Sequence, residues 1–211
     1  MRSKPTVISQ HLAEQFGNID IYLFDQLCKG RCDDVVNVLD AGCGVGRNLV
    51  YFLKNGFNVF ATDAAPKAVQ QVRTLAATLV PDLPPENFTV APVEKLPFAD
   101  QQFDFVISNA VLHFARDERH FDAMLTEMWR VLRESGILFA RLASSIGIAD
   151  RVQPLGNGRY RLPDGSERFL VDEEKLLEMT NRLNASLLDP IKTTNVQNLR
   201  CMTTWCLRKN I

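Results

Sequence analysis

The chain has 211 residues, of which 46% are hydrophobic and 23% charged, a composition that supports a buried core and excludes a disordered chain. Its 24 Lys and Arg against 25 Asp and Glu leave a formal charge of -1, which excludes a broad basic field for nucleic acid. Residues 1–10 hold one apolar pair, Val7 and Ile8, too little for a signal-peptide core, and no apolar run approaches the ~20 residues of a membrane span.

The expectation is therefore one domain over residues 1–211, cytoplasmic, away from membranes, and monomeric or homodimeric. The five cysteines, Cys28, Cys32, Cys43, Cys201 and Cys206, are odd in number, and their gaps are not those of a zinc knuckle. They read as reduced structural thiols, with no metal site.

In chain order, residues 18–26 (NIDIYLFDQ) form an amphipathic helix ahead of the first strand, 36–40 (VNVLD). That strand runs into Gly42, Gly44 and Gly46, and a helix is expected over 47–54. Strand 58–63 (NVFATD) follows, and Pro66 opens a helix whose stripe of Val69, Val72, Leu75, Ala76 and Leu79 ends at Pro81. Strands are expected at 88–93 and 103–108. Phe121, Met124, Leu125, Met128, Trp129 and Leu132 then mark a core-facing helix over 119–134, with Gly136 as its C-terminal cap, before a fifth strand at 137–143.

Residues 144–171 break this rhythm. Segments 159–162 and 167–171 flank Pro163-Asp164-Gly165, which reads as a β-hairpin insertion. Asp172 caps a helix to about 183, and closing strands are expected near 186–193 and 200–208. Strands alternating with helices point to an α/β fold around a parallel sheet.

The chemistry gathers at VLDAGCGVGRN, residues 38–48. Glycine accepts positive φ and lets backbone approach a ligand, and such a turn after the first strand is where open α/β sheets bind nucleotides. A dinucleotide fingerprint, GxGxxG, fails here, since Arg47 or Leu49 stands at its third glycine. Asp63, at the end of the second strand, is placed to accept from both hydroxyls of a ribose, which suits an adenosine ligand of either nucleotide class.

The pattern Asp40-x-Gly42-x-Gly44-x-Gly46 resembles motif I of the class I S-adenosylmethionine-dependent methyltransferases. Val93-Glu94-Lys95-Leu96-Pro97-Phe98, followed by FDFVISNAVLH at 103–113, resembles the compact members related to tellurite-resistance and quinone-pathway enzymes, over about residues 36–143. The resemblance implies a Rossmann-like, doubly wound sheet of seven mostly parallel strands with the last antiparallel. It also implies an N-terminal helical lid within 1–35, with Tyr22 and Asp25 as lid candidates.

By the same resemblance, S-adenosylmethionine binds with its methionine part over Gly42, Cys43 and Gly44 and its ribose on Asp63. Its adenine lies between Ala64 and Val93, and Asn109 sits beside the methionine end; S-adenosylhomocysteine is the product. Pro92 stands where relatives often carry an Asp for the adenine amino group, which leaves Glu94 for that contact or no residue at all. Asp40 either meets the cofactor or braces the turn, and Arg47 and Asn48 either meet the cofactor carboxylate or face solvent.

Methyl transfer needs donor and acceptor held in line, with a base only where the acceptor carries a proton to remove. His113 is the candidate catalytic base, with a packed or capping role as the other reading. Asn109-Ala110-Val111-Leu112 is not the Asn-Pro-Pro-aromatic motif of base and glutamine methyltransferases, so a small-molecule acceptor is expected. Arg151, Arg159, Arg161 and Arg168 lend the insertion a basic character suited to an anion. An NAD(P)-dependent oxidoreductase and a non-catalytic nucleotide-binding protein of this fold are the alternatives.

Overall fold

The computed structural model describes residues 8–211, so expectations for Val7 and for the first part of segment 1–35 lie outside the described residues. Helices α1 (Ile8–Phe16) and α2 (Ile21–Cys28) lead into β1 (Asn37–Ala41), α3 (Val50–Lys54), β2 (Asn58–Asp63), α4 (Pro66–Leu79) and β3 (Phe88–Val90). β4 (Phe103–Asn109), α5 (Glu118–Val131) and β5 (Leu132–Ser144) continue the alternation. β6 (Gln153–Gly156), β7 (Arg159–Arg161) and β8 (Glu167–Phe169) form a separate small sheet, and α6 (Glu173–Arg182), β9 (Ala185–Leu187), β10 (Lys192–Val196) and β11 (Arg200–Lys209) close the chain.

The main sheet runs β10-β11-β5-β4-β1-β2-β3, with β9 also on β11. The five strands from β3 to β5 are parallel, and β11 is antiparallel to β5. Alternate residues feed opposite faces, as pleating demands. Leu39, Val106, Leu138 and Ala140 join the core under α5 and α6, whereas Val38, Phe105, Ile107 and Phe139 join the core under α2, α3 and α4. Chain order reverses at β1, which lies between β2 and β4, and a crevice opens at the carboxyl ends of those strands.

Several expected boundaries shift, some for a local reason and some because a distant residue intervenes. Helix α3 begins at Val50 instead of Arg47, because Gly46 sits at φ +79° and Leu49 N–H donates back to Gly46 O in a tight turn. α5 ends at Val131, and Gly136 lies inside β5 and is not a cap. Lys209 Nζ donates to Trp129 O and Leu132 O at 2.7 and 2.8 Å, satisfying terminal carbonyls that a glycine cap would have served.

β3 stops at Val90, two residues before Pro92, which has no N–H to continue a ladder. Segment 186–193 is two short strands, β9 and β10, both on β11. The break falls at Pro190 and at Asp189, whose carboxylate is drawn to the Arg31 guanidinium at 2.6 and 3.0 Å. The hairpin is present as β7 and β8 and gains β6 as a third strand, while Asp172 caps α6 by accepting from Lys175 N–H.

Candidate active site

The turn after β1 is built from its own sequence. Gly42 and Cys43 N–H both donate to Thr62 O at 2.8 and 2.9 Å, which docks the turn onto the end of β2. Gly42 sits at φ +85°, and a Cβ there would lie 2.5 Å from Val111 Cγ2, so only glycine lets the strand end pass under Val111. A Cβ on Gly44, at φ +52°, would meet no atom within 4 Å and would project into open space.

That space is a cavity of about 630 Å³. Of the residues expected at the cofactor, Gly42, Cys43, Gly44, Arg47, Asp63, Ala64, Val93, Glu94 and Asn109 all line it, and Asn48 lines it too. Asp63 is half-buried. Its Oδ2 accepts from Gly44 N–H at 2.9 Å and its Oδ1 from Ala65 N–H at 2.8 Å, which leaves further lone pairs facing the cavity. Asn109, 9% exposed, accepts from Arg47 Nη2 at 3.4 Å, and its own Nδ2 is buried without a partner among the described residues.

Asp40 does not line the cavity. It is buried beneath the turn with both carboxylate oxygens unpartnered among the described residues, so it makes none of the amide bonds expected of a brace. Burial pushes its pKa up to about 7; Arg47 opposes this and Asp63 adds to it. The Cys43 thiol is pushed up by burial, with Asp40 and Asp63 adding to the shift.

Glu94 lies 3.0 Å from His120 Nε2 and 3.7 Å from Arg116. Although burial opposes it, backbone hydrogen bonding and His120 hold the Glu94 carboxyl below its usual range. Leu96, two residues on, is anchored: its N–H donates to Glu127 at 2.9 Å, and Arg130 donates to Leu96 O and Phe98 O.

A second chamber of about 430 Å³ adjoins the first and shares Arg47, Asn109 and Ala110 with it. Ala110 holds a left-handed φ of +63° at this junction, a strained position for a residue with a Cβ, fixed by its N–H bond to Arg141 O at 2.7 Å. His113 lines the second chamber, not the first. It is 6% exposed, and burial, together with Arg168 and Arg141, lowers its pKa to about 4. Its Nδ1 accepts from Ala143 N–H at 3.2 Å, so the neutral ring carries its proton on Nε2 and presents a donor.

Several residues here escaped the sequence. Asp20 caps α2 through Tyr22 N–H, and its Oδ2 accepts from Arg47 Nη2 at 3.0 Å and Arg141 Nη1 at 3.1 Å. Its backbone N–H donates to Asn48 Oδ1, which gives Asn48 a structural bond. The cap position signals the helix start, but nothing in sequence signals the two arginines. Arg141 carried a trace, a charge in the middle of the apolar strand ILFARLA. Tyr22 and Asp25 do not line the first cavity: Tyr22 bonds Thr194 on β10, and Asp25 pairs with Lys29. Of the insertion's arginines only Arg168 faces the second chamber.

Residues 39–140 match the family described as a methyltransferase domain. The malonyl-(acyl-carrier protein) O-methyltransferase of Salmonella typhimurium is 33% identical over 129 residues, covering 61% of this chain and 46% of that relative. The chain thus matches less than half the length of that protein. A crystal structure of a Pyrococcus horikoshii protein superposes with a TM-score of 0.69 at 18% identity, over 98% of this chain and 93% of the other. A Burkholderia thailandensis 1,6-didemethyltoxoflavin-N1-methyltransferase, solved with bound 1,6-didemethyltoxoflavin and S-adenosylhomocysteine, gives a TM-score of 0.63 at 19% identity, over 100% of this chain and 94% of the other. No helix among the described residues is long and apolar enough to cross a membrane.

Proposed function

We propose that residues 39–140, which match a methyltransferase-domain family, form a class I S-adenosylmethionine-dependent methyltransferase domain of the type-11 kind, and that this protein methylates a small-molecule acceptor seated in the second chamber. The observation that carries the reading is the side-chain-free approach at Gly44 beside the amide-held carboxylate of Asp63. The residues fit the cofactor: a Cβ at Gly44 would fill the cradle, and the unpartnered Asn109 Nδ2 supplies a donor at its edge. When bound, S-adenosylmethionine supplies an electrophilic methyl group.

In this reading, Asp63 accepts from the ribose hydroxyls and the backbone of Gly42 to Gly44 carries the methionine part. Ala64 and Val93 flank the adenine, and Glu94 is turned toward His120 and Arg116 at that end. Arg47 and Asn109 lie where the two chambers meet, so they orient the methionine end toward the acceptor. The whole chain acts as one domain, with α2 joined to the site through its cap Asp20 and Arg47, and 144–171 as the insertion that walls the second chamber.

His113 and Asp164, which line the acceptor chamber, are weak bases at neutral pH. His113 is uncharged there with its Nδ1 lone pair engaged, so we assign it as a hydrogen-bond donor that orients the acceptor, in place of the base. Asp164, although burial opposes it, is held below its usual carboxylate range by Ser166, Arg200 and Arg168. This favours an acceptor atom that is nucleophilic without losing a proton, such as an amine, thiolate or carboxylate.

Calorimetric titration of the purified protein with S-adenosylmethionine, S-adenosylhomocysteine and NAD is the test. Binding of the first two and not the third is expected; binding of NAD alone would return the oxidoreductase reading. Methyl release from labelled donor across a metabolite panel then separates an enzyme from a non-catalytic binder.

A further inference from the structure

The second chamber is more positive than its task as a wall requires. Among the described residues, Arg47, Arg141, Arg168 and Arg200 all line it, against a single lining carboxylate, Asp164. Behind the wall, Asp20 Oδ2 serves both Arg47 and Arg141, and Arg200 lies 3.8 Å from Asp164. Four guanidiniums therefore face two carboxylates. Arg168 is the one of the four with no carboxylate within ion-pair distance among the described residues.

Arg168 is held in place by other means. Its Nη1 donates to Glu167 O at 2.7 Å, and its guanidinium lies 5.0 Å from the ring centroid of Phe114. Phe114 lines the first cavity, so stacking sets the Arg168 fork at the border between the two chambers. Arg141 lines the same chamber from β5, between the buried Ala140 and Leu142, with its guanidinium 5.1 Å from the Tyr22 ring centroid. Its Nε is buried and unpartnered among the described residues. A guanidinium in a central strand with an unmet donor is costly unless a ligand completes it.

We propose that the methyl acceptor carries a carboxylate, bound by the planar fork of Arg168 with Arg141 and the Nε2–H of His113 lining the same chamber. The Arg168 donors that Glu167 O does not engage match the two oxygens of one carboxylate. The inference rests on the methyl-transfer reading of the same site and adds to it the class of the acceptor. It also gives Arg168 the part of specificity determinant, which explains why the β7–β8 insertion is placed against the site.

The test is calorimetry on protein saturated with S-adenosylhomocysteine, titrated with a set of small carboxylic acids, the same skeletons as primary amides, and the same skeletons as phosphate monoesters. Saturable binding by at least one acid and by none of the amides is expected, weakened about ten-fold or more in Arg168→Gln, the loss of one charge-assisted pair. Arg200→Gln, whose guanidinium is near Asp164, should weaken the same acid less. Binding of amides as well as acids, preference for phosphates, no acid binding at all, or acid binding unchanged in Arg168→Gln overturns the inference. Failure of S-adenosylhomocysteine to bind is read first; it overturns the cofactor reading, and the acceptor assignment with it.

Discussion

Gly44 donates its backbone N–H to Asp63 Oδ2 at 2.9 Å, so the bare turn after β1 and the acid after β2 form one unit. The carboxylate that would grip a ribose is aimed by the same backbone that makes room for the rest of the cofactor.

Asp63→Ala removes the ribose acceptor and leaves the Gly44 and Ala65 amides without their partner. We expect affinity for S-adenosylhomocysteine to fall by about 1.5 to 3 kcal/mol, the worth of a hydrogen bond to a charged group. Calorimetry measures it, and an unchanged dissociation constant would remove Asp63 from the site.

The two glycines should separate folding from binding. Gly42→Ala drives a Cβ to 2.5 Å from Val111 at a left-handed φ, so the melting temperature should drop steeply. Gly44→Ala meets no atom and carries only the left-handed strain of about 1 to 2 kcal/mol, yet its methyl enters the cavity. A modest loss of stability with a large loss of cofactor affinity is expected for Gly44, and equal affinity in Gly44→Ala and the parent would mean that the cofactor lies elsewhere.

His113 has a folded pKa lowered to about 4 from an ordinary 6.5, so between those values the unfolded chain binds more protons than the folded one. Its contribution is therefore present above pH 6.5 and is lost as pH falls toward 4, by about 3 kcal/mol at the limit. Denaturation across that window should show a steeper acid-side fall in the parent than in His113→Gln. Equal slopes would contradict the burial that sets the histidine neutral.

Asp40 runs the other way. Its folded pKa, raised to about 7, means that the folded state binds more protons between about 4 and 7, and stability is lost as pH rises through that range. Asp40→Asn cannot ionise, so its stability relative to the parent should improve from pH 5 to pH 8. A pH-independent difference would show that Asp40 is already charged in the folded protein.

Arg130 ties Leu96 O, Phe98 O, Glu127 and Asp100 together and so fixes the loop that follows Val93 and Glu94. Arg130→Ala should speed amide exchange at Leu96, whose N–H bonds to the Glu127 that Arg130 holds, and weaken S-adenosylhomocysteine through the adenine end. Protection at Leu96 equal to that of the parent would dissociate the network from the site.

Much of the site was written in short stretches of chain. DAGCGVG names its own turn because positive φ and close approach are properties of single residues, and Asp63 follows from the length of one βα unit. The 3.6 periodicity placed α4 and α5, since each buries one face whose spacing is local, and short β-rich runs between turn residues placed β1, β2 and β4, which are buried on both faces or nearly so. Boundaries slipped where a distant group intervened. Lys209 supplied the end of α5 in place of Gly136, and Arg31 drew Asp189 out of what read as a single strand.

By itself, the sequence determined an α/β sheet, a glycine turn after its first strand and an acid at the end of its second, and from these came the expectation of an adenosine-type ligand. Those depend on backbone freedom and on pattern within some thirty residues. Only the tertiary structure decided that His113 is a neutral donor in a second chamber, that Asp20 joins Arg47 to Arg141, and that Arg168 alone of the insertion's arginines lines that chamber. Charge and protonation depend on what lies within a few ångströms, and those neighbours come from β4, β5, β8 and α2, brought together by a sheet whose strand order the sequence does not spell out.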